Sequence, residues 1–190
     1  IDNARSAGFS EIKVNAVVRR GFNEHAVLDL VDHFRGTGCI VRFIEYMDVG
    51  ETNGWNLDDV IPARELISQI DAKYPVEPIS PNYQGEVAKR WRFRDDQGEI
   101  GFITSVTESF CGDCSRARLS AVGKIYTCLF ATEGHDLRML LRSGASDSDL
   151  LESITNIWQT RSDRYSELRG MNAPMPDSGK VKVEMSHIGG

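Results

Sequence analysis

Residues 11 to 47 constrain the fold most. Glu11–Arg19 alternates, with Ile12, Val14, Ala16 and Val18 on one face and Lys13, Asn15 and Val17 on the other. That is the pattern of a strand with one apolar and one partly polar face. Asn23 is then placed to cap a helix, whose apolar residues Ala26, Val27, Leu30, Val31 and Phe34 are spaced for a single face. Gly36 and Gly38 end it, and Ile40–Met47 (IVRFIEYM) is the next strand. Strand, helix and strand in about 35 residues form a βαβ unit, with parallel strands and a right-handed crossover. Polar residues and loops at the C-terminal ends of such strands form ligand sites.

Asp48–Asp59 is rich in Gly and Asn and reads as a solvated excursion, not a metal site. Pro62 starts a helix to about Ala72, with Leu66, Ile67 and Ile70 inward. Residues 74–85 hold Pro75, Pro78 and Pro81 without periodicity and read as a linker. The boundary is placed there, giving segments 1–74 and 75–190. Lys89–Arg94 and Glu99–Val106 flank Asp95-Asp96-Gln97-Gly98 as one hairpin; Leu119–Ala121 and Ile125–Phe130 flank Val122-Gly123-Lys124 as a second. Helices are expected over Asp136–Arg142 and Asp147–Arg161, the latter with Leu150, Leu151, Ile154, Ile157 and Trp158 inward. Ile1–Gly8 has the form of the end of a helix stopped by Gly8, which suits a piece of a longer chain.

The 190 residues are 41% hydrophobic and 26% charged, a globular composition. No apolar run is long enough to span a bilayer, and no basic start precedes an apolar stretch, so the expected location is cytoplasmic. A net charge of −6 argues against a nucleic-acid coat. It leaves room for a small phosphorylated ligand held by a local cluster of cations.

Three of the four cysteines, Cys111, Cys114 and Cys128, fall within 18 residues. Cys39 stands alone before an apolar run and reads as a buried small hydrophobe. The spacing Cys-Gly-Asp-Cys curls a short loop so that two thiolates face one point, as a metal or cluster requires. The turn at Val122–Lys124 folds the second strand back, bringing Cys128 toward Arg116–Leu119 and that loop. Arg116 and Arg118 share a face, placed for charge-assisted forks to an anionic ligand. The bland alternative pairs them with Glu108 or Asp113. On spacing alone, zinc closed by His135 as a fourth ligand and an iron–sulfur cluster both stand open. The zinc reading would make the chain a binding module without catalysis. An RNA-binding element is disfavoured by the acidic balance.

The stretch C-x2-C-x-R-x-R…C resembles the C-terminal cluster site of the molybdenum cofactor biosynthesis protein A family, the radical-SAM GTP 3′,8-cyclases. The resemblance extends over IKVNAVVRRGFNEH, VRFIEYMDVG, GFITSVTESFCGDCSRARLSAVGKIYTCLF and the terminal MSHIGG. It implies an α/β fold: the last units of an incomplete (β/α) radical-SAM barrel over 1–74. A mixed α+β domain with antiparallel hairpins then follows over 75–190. It implies that Cys111, Cys114 and Cys128 hold a second, substrate-side [4Fe-4S] cluster. It further implies that Arg116, Ala117 and Arg118 contact GTP, that Lys13 contacts its phosphates, and that Met47 lines the S-adenosylmethionine site. Arg42 is expected as an active-site cation, and the Gly189-Gly190 tail is expected to reach the active site. S-adenosylmethionine, a first [4Fe-4S] cluster and a homodimer belong to the complete enzyme, with no nucleic acid or membrane partner.

No CxxxCxxC motif, the family's radical-generating cluster site, occurs in these residues. The chain thus corresponds to the C-terminal part of the family's enzyme, the N-terminal barrel half is a missing partner, and the chain alone is expected to be inactive. Without the resemblance, Lys13 reads as a solvated strand residue and Met47 as core packing. Arg42 reads as structurally paired by Glu45 or a neighbour, and Gly189 and Gly190 as a frayed end.

Overall fold

The structure is a computed structural model and describes residues 1–50, 52–171 and 179–188. The chain divides into two compact units, one of residues 1–47 with 55–113, the other of residues 48–54 with 114–190. Both are mixed α and β: the first carries a mixed sheet, the second a small antiparallel one.

The first unit begins with a short helix, α1 (Asp2–Ser6), and Gly8 follows with a φ of +91°, as the Gly stop requires. The βαβ unit is present. Strand β1 (Lys13–Val18) pairs in parallel with β2 (Ile40–Glu45) across helix α2 (Val27–Phe34). Asn23 starts this helix through a 3-10 turn, Glu24–Ala26, but its side chain does not cap it. The Asn23 amide turns back to β1, accepting from Arg19 N at 2.8 Å and donating to the Val17 carbonyl at 2.9 Å. Helix α3 (Ala63–Lys73) follows, with Leu66 and Ile70 buried.

The proline-rich stretch differs from its reading as a linker. Val76–Ile79 is a strand, β3, paired antiparallel with β4 (Lys89–Phe93), which pairs antiparallel with β5 (Glu99–Ile103). β5 also runs parallel to β2, so one sheet has the order β1-β2-β5-β4-β3. The compact units therefore do not divide at residues 74 and 75. Pro78 is compatible because β3 is an edge strand, where a missing N–H costs no ladder bond.

Alternation sorts this sheet into two faces. Val18, Val41, Phe43, Ile100 and Phe102 form the core with Val27 and Val31 of α2 and Leu66 and Ile70 of α3. Phe43 and Phe102 stack at 5.8 Å between ring centroids. Each such side chain contributes about 1.5–3 kcal/mol of burial. Register places Lys13 and Asn15 of β1, Arg42 of β2 and Gly101 of β5 on the opposite face.

In the second unit, β6 (Arg118–Leu119), β7 (Lys124–Tyr126) and β8 (His135–Asp136) form a three-stranded antiparallel sheet in that order. Arg118 pairs with Tyr126 and Leu119 with Ile125, so the second hairpin is present, shorter than its sequence pattern. Helix α4 (Leu137–Arg142) is capped by Asp136. Helix α5 (Asp147–Gln159) starts on a capping box in which Ser146 and Asp149 satisfy each other's backbone N–H. It buries Ile157, while Leu151, placed inward by its spacing, is exposed. Helix α6 (Tyr165–Gly170) follows.

Candidate functional site

Two groups of candidate residues take shape, one in each unit. The first lies on the sheet face opposite the core. Lys13 and Asn15 project from β1 and are exposed; Arg42 projects from β2 beside them and is half-buried. The Arg42 Nε donates to Asn15 Oδ1 at 2.9 Å. Glu45 does not pair with Arg42, because alternation turns it to the other face. There its buried carboxylate accepts from the N–H groups of Ala63 at 3.1 Å and of Val106 and Thr107 at 2.9 Å, and from the Thr107 hydroxyl at 2.5 Å. Arg42 is thus held by a neutral amide rather than by the Glu45 carboxylate. Lys13 stands 3.8 Å from Glu11, a surface pair of little value. Met47 follows β2 by two residues and is half-buried.

Gly101 is what lets Arg42 lie flat. A β-carbon there would sit 3.1 Å from Arg42 Cγ and 3.2 Å from Ala88 Cβ, tighter than a packed core tolerates without movement. Neither Asn15 nor Gly101 was picked out by the sequence reading. The available signal was Asn15 itself, two residues from Lys13 and therefore on the same face.

The second group surrounds the thiols of the second unit. Cys114 and Cys128 form no disulfide and are half-buried. An Arg116 Nη2 donates to Cys114 Sγ at 3.5 Å, and Phe130 N donates to Cys128 Sγ at 3.4 Å. Burial raises the Cys114 thiol, but the hydrogen bonds and charge of Arg116, with the charge of Arg161, outweigh it and hold its pKa below the ordinary value. For Arg118, burial lowers the pKa and the neighbouring Arg116 adds to this, while Cys128 and Cys114 oppose them. Two thiols and two guanidinium groups therefore share one electrostatic environment. Ala117, between the arginines, is exposed. Glu108, one of the two carboxylates weighed as a structural partner for the arginines, pairs with Lys89.

Cys111, half-buried in a 3-10 turn with Gly112 and Asp113, belongs to the first unit. Among the described residues, no three His, Cys, Asp or Glu side chains stand close enough together to hold a metal ion. His135, the fourth ligand of the zinc reading, is exposed and pairs with Ile125 across β7 and β8. The donor chemistry of the second unit suits a thiolate-held group: a thiol biased toward thiolate, a second thiol that acts with it on Arg118, and cations to balance their charge. Gly189 and Gly190 lie outside the described residues.

The comparisons decide the family. A family model described as Molybdenum Cofactor Synthesis C matches residues 39–167. The chain belongs to the Molybdenum Cofactor Synthesis C family. A protein of Acidothermus cellulolyticus named GTP 3′,8-cyclase is 51% identical over 100% of this chain and 58% of its own length. One of Xanthomonas axonopodis pv. citri with the same name is 51% identical over 98% of this chain and 54% of its length. One of Staphylococcus epidermidis, again so named, is 45% identical over 100% of this chain and 56% of its length. The chain thus spans a little over half the length of these relatives and matches their C-terminal part.

The family match covers Arg42, Met47, the three clustered cysteines and both arginines, while Lys13 and Asn15 precede it. Within this Molybdenum Cofactor Synthesis C chain, one polar centre was misread from sequence. Asp48, taken as part of a solvated loop, is 9% exposed. It receives the Tyr165 hydroxyl, an Arg169 guanidinium and Lys182 Nζ, the last at 3.0 Å. Phe130 stacks on Tyr165 beneath them at 4.4 Å. Its partners stand 117 to 134 residues away in sequence, beyond any local pattern. Among the described residues, no helix is long and apolar enough to cross a membrane.

Proposed function

We propose that the chain is the C-terminal part of a GTP 3′,8-cyclase, which converts GTP to (8S)-3′,8-cyclo-7,8-dihydroguanosine 5′-triphosphate early in molybdenum cofactor synthesis. The observation that carries this is identity of 45–51% along nearly the whole chain to proteins bearing that name. The thiols and arginines of the second unit, and the cations on the open sheet face, are of the kinds such a substrate calls for. The mixed sheet then supplies the last strands of an incomplete (β/α) barrel whose other half lies outside these residues.

In this reading Cys111, Cys114 and Cys128 hold a [4Fe-4S] cluster. Such a cluster, when bound, supplies an iron with a free position for a donor atom of the guanine. The remaining work falls to this chain's own side chains. Arg116 and Arg118 neutralise and orient the nucleotide, with the Ala117 backbone between them. Lys13 and Arg42 offer cations to the triphosphate, Arg42 already positioned by Asn15 and Gly101. Preset charges of this kind stabilise a polyanion without reorganising during the reaction. Met47 lines the S-adenosylmethionine site, and Gly189-Gly190 allow close backbone approach to the reacting centre. The complete enzyme carries S-adenosylmethionine and a first cluster on its N-terminal half, acts in the cytoplasm and is a homodimer.

The test is GTP affinity in the full-length protein. Arg116→Ala and Arg118→Ala are each expected to weaken GTP binding about tenfold or more, the loss of one charge-assisted contact, with iron content unchanged. Wild-type GTP affinity in both variants overturns the assignment.

A further inference from the structure

We infer that Arg161 and Asp163 are positioning residues that clamp together the two thiol-bearing segments of the second unit. The inference rests on the proposed function only for what the thiols hold. The clamp itself is a chain of three hydrogen bonds. An Arg161 Nη1 donates to the Cys114 carbonyl at 2.5 Å. The Arg161 Nε donates to Asp163 Oδ2 at 2.9 Å. The same oxygen accepts from the Thr127 hydroxyl at 2.6 Å, and Thr127 immediately precedes Cys128. One guanidinium and one carboxylate thus connect the backbone of the first thiol residue to the neighbour of the second.

The setting favours a firm connection. The Arg161 side chain is only 13% exposed, and its guanidinium lies 5.4 Å from the centre of the Trp158 ring. Thr127 is buried, so its hydroxyl needs a partner and finds one in Asp163. The β6–β7 ladder ends at Tyr126, two residues before Cys128, and Cys114 precedes β6 by four. Neither thiol is therefore fixed by the sheet. A ligand set must be held to within about half an ångström to bind a metal group well, and supporting hydrogen bonds commonly do this. The Arg161–Asp163 pair supplies that support from the segment after α5, 47 residues from Cys114 and 36 from Thr127 in sequence.

The experiment uses the full-length protein reconstituted anaerobically with iron and sulfide. Iron and sulfide per chain, the visible absorption and the rate of iron loss to a chelator are measured. The triple variant Cys111→Ser, Cys114→Ser, Cys128→Ser defines the iron that belongs to this site. Arg161→Met and Asp163→Leu are expected to lose iron from this site to the chelator at least tenfold faster than wild type, within the range known for supporting residues of metal ligands. Thr127→Val is expected to do the same and Thr127→Ser to restore the wild-type rate, since only the hydroxyl differs in role. The threonine pair keeps the test decisive if either clamp variant folds poorly. Wild-type chelator rates in Thr127→Val and Asp163→Leu overturn the clamp while leaving the cluster intact. Wild-type iron in the triple cysteine variant overturns the proposed cluster, and the clamp's role with it.

Discussion

Asp48 shows how much one residue can do that its neighbours in sequence do not announce. Burial alone would raise its pKa. The Tyr165 hydrogen bond and the charges of Arg169 and Lys182 outweigh that and hold it below the ordinary carboxylate value. A depressed folded pKa contributes stability that is present above the unfolded value, about 3.9, and is lost as pH falls through the folded value. Lys182 behaves oppositely: burial lowers its pKa, but Tyr165 and Asp48 raise it on balance. Its contribution is present below its unfolded value and is lost as pH rises through the raised one. The cluster therefore contributes across the whole neutral range. Asp48→Asn is expected to cost about 1–3 kcal/mol at pH 7, because Arg169 and Lys182 lose their buried counter-charge. The cost shrinks as pH falls below the ordinary carboxylate value and is gone only below the depressed folded one, where the native protein also loses the charge. Denaturant melts at pH 7 and pH 3 check this, and an equal cost at both values contradicts it. Asp48 was illegible in the sequence because a Gly- and Asn-rich neighbourhood looks solvated, while the cations that bury it arrive from the far end of the chain. The contact of Arg116 with the Cys114 thiol was legible because the two stand two residues apart.

At the scale of elements, the pattern of alternation was a sound guide wherever contacts were local. The βαβ unit and the β4–β5 hairpin follow from periodicity and turn residues. β3 escaped because three prolines mask a four-residue strand whose pairing is decided by β4, ten and more residues later. Glu45 is the other case: its place in an apolar strand was visible, its partners were not. Its two oxygens join the end of β2 to the first N–H of α3 and to the turn after β5. Oε2 faces two backbone N–H groups, Val106 and Thr107, whereas Oε1 faces one, Ala63, and a hydroxyl that can rotate. In Glu45→Gln the amide nitrogen must take one of these places. The Oε1 position is the cheaper, and it leaves the Ala63 N–H without an acceptor. The expected cost is about 1–3 kcal/mol, the penalty of one orphaned buried donor. Amide exchange should quicken at Ala63 and stay slow at Val106 and Thr107. Undiminished protection at Ala63 would show that the carboxylate is not what holds the start of α3.

For the molecule as a whole, the formal charge of −6 conceals a division of labour. Many cations are spent on carboxylates, as in Arg19 with Asp59 and Arg90 with Glu99. Arg42, by contrast, rests on the neutral Asn15. A cation stationed on an uncharged partner suits a ligand that brings its own negative charge, as a triphosphate does. The same 190 residues contain no CxxxCxxC motif, so on the proposed function they bind substrate but cannot generate the radical. That separation can be measured on the chain as it stands. Reconstituted with iron and sulfide without oxygen, it should turn brown, carry iron and sulfide rather than one zinc, and take up GTP. Given S-adenosylmethionine and a reductant as well, it should leave the GTP unchanged, and joining it to the family's N-terminal half should restore consumption. A colourless protein with one zinc would favour a structural metal site closed by Cys111, Cys114, Cys128 and His135. Turnover of GTP by the chain alone would mean that the radical chemistry does not need the missing motif. Brown protein, bound GTP and no turnover is the one combination that fits a substrate-holding part awaiting its catalytic partner.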